Sequence, residues 1–116
     1  MRSRDQHKLT LDDYQDGALS TAIFPPEYAI IYPVLKLTGE AGEVAEKIGK
    51  VLRDKGGEFD YATKADLMRE LGDVLWYIAA LANGLGFNLS EGGGANLAKL
   101  ADRANRGVLK GSGDNR

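Results

Sequence analysis

The sequence predicts an all-α fold, an antiparallel bundle of about four helices, and three observations carry that expectation. Apolar residues recur every three or four positions in four separate stretches, the spacing of one helix face. No stretch alternates apolar with polar residues as a half-buried strand does. Two of the stretches also repeat one another 30 residues apart. Leu37, Glu40, Gly42, Glu43, Val44, Ile48 and Val51 are matched by Leu67, Glu70, Gly72, Asp73, Val74, Ile78 and Leu81.

Length and composition bound the rest. A chain of 116 residues with 43% hydrophobic content reads as one domain over residues 1–116 with a compact core. It is small for a helical enzyme with an open cleft, so assembly as an oligomer is expected. A net charge of −2 gives no global basic field to attract a nucleic acid polymer. The absence of cysteine excludes disulfides, thiolate metal sites and cysteine nucleophiles. No apolar run approaches the roughly 20 residues a membrane span needs. Residues 1–8 are charged but lack a following apolar stretch, so they are not a signal peptide. A soluble, cytoplasmic protein is the expectation.

Residues 1–9 read as a loose polar arm. Thr10 with Asp13 resembles a capping box, and Leu11, Tyr14, Gln15, Ala18, Leu19 and Ala22 form a short helical face that must stop before Pro25-Pro26. Residues 27–32 suit either a helical turn or an extended connector. Pro33 suits the first turn of a second helix over residues 33–53, with Leu37, Ala41, Val44, Ile48, Val51 and Leu52 as its apolar face. Gly56-Gly57 lies just beyond, residues 58–62 read as a loop, and Thr63 with Asp66 is the expected cap of a third helix. That helix presents Leu67, Leu71, Val74, Ile78, Leu81 and Leu85, and weakens at Asn83-Gly84 and Gly86. Gly92-Gly93-Gly94 makes a poor first turn, each Gly costing about 1 kcal/mol against Ala, so the fourth helix is expected from Ala95 to Arg106, with Gly107 as its stop. Residues 107–116 read as a Gly-rich strap.

The repeat carries the candidate chemistry. Glu40 and Glu43, like Glu70 and Asp73, are three residues apart and project from neighbouring places on one helix surface. At about 100° per residue, each pair straddles its own apolar stripe by roughly 60° to either side. Packed as a hairpin, the two helices can gather four carboxylates at one margin. Such a gathering needs a cation or protons to offset its repulsion. Magnesium, an oxygen-seeking ion shared between carboxylates and phosphates, is the natural guest. A di-iron bundle needs Glu-x-x-His motifs and zinc needs Cys or His, whereas the only histidine is His7, in the N-terminal arm. The alternative is that both pairs are ordinary solvated charges at the boundary of an amphipathic helix. Lys47 is the only basic residue on the site-facing margin of the second helix near Glu43.

On the fourth helix Asn96, Lys99, Arg103 and Arg106 fall within roughly 80° of the circumference, a cationic stripe opposite Leu97, Leu100, Ala101, Ala104 and Val108. Such a stripe suits a polyphosphate, or equally a solvated helix with positive charge at its C-terminus. Tyr77 lies close in angle to Glu70 and is a candidate to border the site. Gln15 and Tyr14 are candidate contacts to a base, with packing the alternative for Tyr14. Trp76 lies off the core stripe, at a subunit interface or stacked on a base.

At these residues the chain resembles the MazG-like nucleotide pyrophosphohydrolases. The resemblance covers most of residues 10–116. It rests on Gly39-Glu40-Ala41-Gly42-Glu43-Val44, on Glu70-Leu71-Gly72-Asp73-Val74, and on an ending that runs from Asn96 through Lys99, Arg103, Arg106 and Gly107 to Gly111-Ser112-Gly113-Asp114-Asn115-Arg116. It implies a helical homodimer or homotetramer that hydrolyses nucleoside triphosphates to monophosphate and pyrophosphate with Mg²⁺, or Mn²⁺ as a substitute. Glu40, Glu43, Glu70 and Asp73 would be the metal ligands. Glu43 and Glu40 would be the catalytic carboxylates, with Glu43 taking the proton of the attacking water. Asn96, Lys99 and Arg103, joined by Lys47, would contact the nucleotide. Some relatives carry an acid immediately before the first motif glutamate; this chain has Gly39. A related helical enzyme, phosphoribosyl-ATP pyrophosphohydrolase, shares the same metal logic, and a non-catalytic interaction module is the remaining alternative.

Overall fold

The computed structural model describes residues 8–114 and 116. Four α-helices follow in order, α1 (Leu11–Leu19), α2 (Ile31–Lys55), α3 (Tyr61–Gly84) and α4 (Leu89–Arg106), with a 3₁₀ turn at Pro26–Tyr28 between the first two. No strand occurs among the described residues. The all-α expectation holds. Most of the expected N-terminal arm, including His7, lies outside the described residues.

Helices α1, α3 and α4 begin where a side chain takes up unpaired N–H groups, whereas α2 starts at Ile31 without a side-chain cap. Thr10 accepts the N–H of Asp13 at 3.0 Å, as its spacing predicts. The Pro25-Pro26 pair turns the chain after α1, and α2 starts two residues earlier than expected. Pro33 is thereby held inside the first turn, where its missing N–H costs nothing. At the other end Gly56 has φ 61°, a left-handed geometry in which glycine carries no Cβ penalty, and the Gly57 N–H returns to the Val51 carbonyl at 3.1 Å.

Two further starts differ from expectation. The α3 cap is Asp60, whose Oδ1 accepts the Thr63 N–H at 2.8 Å, so Tyr61 and Ala62 are helical rather than looped. Asp60 and Thr63 are both good caps. The tertiary fold decides between them by committing the Thr63 hydroxyl to Lys55 Nζ at 2.7 Å and Asp66 to Lys47. The second correction is α4, which starts at Leu89 and carries the three glycines inside it. Glu91 accepts the Asn88 N–H at 2.7 Å, Gln15 accepts that of Leu89 at 2.9 Å, and Asp12 accepts that of Ser90 at 2.9 Å and its hydroxyl at 2.6 Å. These bonds satisfy the first turn and offset the poor helix propensity of glycine. A Cβ on Gly93 would also stand 3.3 Å from Leu11 Cδ1, so the absent side chain permits the close approach of α1.

Helices α2 and α3 form an antiparallel hairpin, its direction fixed by pairs such as Lys47 with Asp66 near the middle and Lys55 with Thr63 at the closed end. Helix α1 packs on α3 and α4, and α4 packs on α1 and α3 but not on α2. The core is a small cluster of Ala18, Ala79 and Leu89, with Tyr14, Leu75 and Trp76 against it. Much of the expected apolar stripe stays outside it. Leu52, Leu71, Ile78 and Leu85 are exposed, as are Leu97 (69%) and Leu100 on α4. With its helices spread in this way, the single chain offers too few partners to cover every stripe.

Candidate functional site

The hairpin brings the two acidic motifs into one register. The two helices run in opposite directions, and both pairs face the same margin of the hairpin. Glu40, Glu43 and Glu70 each present a carboxylate oxygen, and these three oxygens lie within 4.8 Å of one another. Asp73 stands beside them, lining the same cavity as Glu40 and acting on its charge.

The arrangement is electrostatically costly. Burial raises the Glu40 carboxyl above its ordinary value, and the negative charges of Glu43, Asp73 and Glu70 raise it further. Glu40 Oε2 and Glu70 Oε2 are buried without a hydrogen-bond partner. An unpaired buried carboxylate oxygen costs free energy unless a cation or proton meets it. An all-oxygen donor set with two unspent oxygens fits a hard divalent cation such as Mg²⁺ or Mn²⁺, and offers no nitrogen or sulfur to a softer one. The metal reading of the acids passes this test.

Beside the acids opens a cavity of about 690 Å³, with Glu40 and Asp73 at one side and Phe24, Tyr32, Trp76 and Tyr77 forming an aromatic wall. The rings brace one another: Phe24 and Tyr32 have centroids 5.1 Å apart, and Trp76 meets Tyr77 edge-on at 4.9 Å. Trp76 Nε1 donates to Thr21 Oγ1 at 3.1 Å, which fixes the indole plane. Tyr77 lines the same cavity as Glu40 and Asp73. Burial raises its hydroxyl pKa first, then the hydrogen bond with Tyr32 and the charges of Glu40 and Asp73. Thr21, Phe24 and Tyr32 carry no role in the sequence reading. Tyr32 sits in the first turn of α2, and Thr21 and Phe24 come from the connector between α1 and α2, whose path no periodicity specifies. Its one local signal is the aromatic residues flanking Pro25-Pro26.

The other expected contacts lie elsewhere. Gln15 is 5% exposed and spends its whole amide inside the fold, donating to the carbonyls of Ala79 (3.1 Å) and Phe87 (3.2 Å) and accepting from Leu89. It is a strut between α1, α3 and the start of α4, which corrects its reading as a base contact. Lys47 is not free to face a phosphate; its Nζ lies 2.8 Å from Asp66 Oδ2 and 3.0 Å from Glu70 Oε1. Both acidic partners hold its pKa above the ordinary lysine value. Asn96 is exposed on α4. Lys99 and the buried Arg103 reach the C-terminal segment, at 3.3 and 3.4 Å from Asp114 Oδ1. Arg103 Nη2 also donates to the Asp114 carbonyl at 3.1 Å. The single chain therefore gathers the acids and Tyr77 but does not join the α4 cations to them. No helix among the described residues is long and apolar enough to cross a membrane.

Comparison with known proteins agrees with this geometry. The chain is 47% identical over 114 residues to the Gene 37 protein of Mycobacterium phage L5, covering 93% of this chain and 100% of the phage protein. No solved structure matches it. The MazG nucleotide pyrophosphohydrolase domain matches residues 33–108, which span the acidic hairpin and all of α4. On that match, and on the paired acidic motifs it encloses, the chain belongs to the MazG nucleotide pyrophosphohydrolase family.

Proposed function

We propose that the protein hydrolyses nucleoside triphosphates to the monophosphate and pyrophosphate, by Mg²⁺-dependent attack of water on the α-phosphorus. The observation that carries this reading is the set of three carboxylate oxygens within 4.8 Å of one another beside a cavity walled by aromatic rings. Glu40, Glu43 and Glu70, with Asp73 at their edge, would hold the cation. When bound, Mg²⁺ (or Mn²⁺ in its place) supplies charge neutralisation at the phosphate oxygens and a lowered pKa for the attacking water.

The chain's own groups supply the rest. Glu43, the exposed member of the cluster, accepts the water's proton, and Glu40 orients that water. Phe24, Tyr32 and Trp76 offer flat apolar faces to a base, while Tyr77 stands between the aromatic wall and the acids. Lys99 and Arg103 already hold a carboxylate, so an oxyanion of the substrate suits them chemically, with Asn96 on the same helix face. The uncovered stripes of α3 and α4 favour a homodimer or homotetramer. The groove of about 440 Å³ between these helices, lined by Ile78, Leu85, Phe87 and Leu89, is the surface offered for pairing. A cytoplasmic site of action follows from the substrate.

The test is pyrophosphate release from a panel of ribo- and deoxyribonucleoside triphosphates, with Mg²⁺ and with chelator, phosphoribosyl-ATP included as a further substrate. Metal-dependent pyrophosphate release from nucleoside triphosphates is the expected result. Turnover of phosphoribosyl-ATP alone would reassign the substrate. No turnover together with no Mg²⁺-dependent nucleotide binding by calorimetry would leave a non-catalytic helical module.

A further inference from the structure

Outside the four acids, one acidic residue is built into the site through a lysine. Lys47 Nζ lies 2.8 Å from Asp66 Oδ2 and 3.0 Å from Glu70 Oε1, an ammonium shared between a motif acid and a carboxylate one helical turn before it. Asp66 is itself steadied, its other oxygen lying 3.3 Å from Arg69 Nη2. The lysine binds only one oxygen of Glu70; Oε2 stays buried and unpartnered. Among the described residues, Lys47 is the one basic residue ion-paired with any of the four acids.

The charges set the consequence. Without a cation, the ammonium offsets part of the repulsion among Glu40, Glu43, Glu70 and Asp73. A divalent cation on Glu70 would meet the same ammonium as a like charge at close range. The lysine can leave Glu70 without becoming an unpaired charge, because Asp66 already holds it.

We propose that Asp66 is a positioning residue for the metal site: it draws Lys47 away when Glu70 takes up a divalent cation, so that lysine and metal do not compete for one carboxylate. This rests on the metal reading of the four acids. Asp66 touches neither metal nor substrate and acts only through Lys47.

The experiment is a double-mutant cycle read by calorimetric titration of the metal-free protein with Mg²⁺ alone, at fixed ionic strength. Asp66→Asn leaves the ammonium with Glu70 only, and Mg²⁺ affinity is expected to fall about fivefold, the low end for such couplings because the pair is partly solvated. Lys47→Met removes the competitor, and in that background Asp66→Asn is expected to change affinity by less than about twofold. Lys47→Gln serves the same purpose if circular dichroism shows that Lys47→Met does not fold. Equal weakening in both backgrounds would mean that Asp66 acts through its own charge rather than through the lysine, and would overturn the proposal. Unchanged affinity in Asp66→Asn alone would overturn it too. A wild-type protein with no saturable Mg²⁺ uptake would instead bring down the metal reading itself, and the proposal with it.

Discussion

Two polar regions of the molecule use their side chains in opposite ways. At the junction of α1 with the start of α4, every functional group is spent: the Gln15 amide makes three bonds and the Asp12 carboxylate two. Along the α2–α3 hairpin, four acids converge and two buried oxygens find no partner. The Asp12 carboxyl lies below its ordinary value because Ser90 hydrogen-bonds its charged form, whereas burial and acidic neighbours push Glu40 up. A polar group whose bonds are all satisfied holds the fold together. One left unsatisfied in a buried place costs stability, and such groups gather at functional sites.

The largest expected effect falls on the unspent side. Glu43→Gln and Asp73→Asn should fold normally yet lose pyrophosphate release by more than about a hundredfold, beyond the loss typical of groups that merely support a metal ligand. Wild-type-like turnover in either variant would remove those two acids from the site. The spent side predicts the converse. Gln15→Leu keeps the side-chain volume but strands the Leu89 N–H, so stability should drop by about 2–3 kcal/mol in denaturant titration, with activity per folded molecule little changed. A variant with intact stability but lost turnover would return Gln15 to the substrate.

The smallest effect concerns pH. Since the Glu40 carboxyl is raised in the fold, the metal-free native state holds that proton more tightly than the unfolded chain does. Its contribution to stability is fully present below the ordinary carboxylate range and is lost as pH rises through the raised value. Glu40→Gln, uncharged throughout, should flatten that part of the pH–stability curve and melt slightly higher than wild type at neutral pH without metal. Thermal melts across the acid range would read the difference, and an unchanged curve would show that Glu40 bears no such strain.

The family and the acid pairs were legible early because their signals are local. A three-residue spacing puts two carboxylates on one helix surface whatever the helix packs against, and the 30-residue repeat places both pairs alike. Boundaries were legible where a single cap was on offer, as at Thr10. They were missed where the deciding contacts are distant: α4 starts at Leu89 because Asp12 and Gln15, more than 70 residues earlier, meet its first N–H groups. Helix spacing puts Lys47 near Glu43, but its tie to Asp66 and Glu70 appears only when the hairpin closes.

By itself the sequence determined four amphipathic helices, an acidic pair on each of two of them, and a donor set confined to oxygen. These follow from helical periodicity and side-chain chemistry, which act within a few residues. The tertiary structure decided which polar groups are spent and which are left open, that Gln15 is a strut, that the α1–α2 connector supplies part of the aromatic wall, and that Lys99 and Arg103 of α4 meet Asp114 rather than the acids within one chain. Those outcomes turn on which partner reaches a group first across long stretches of chain, and residue spacing carries no information about that competition.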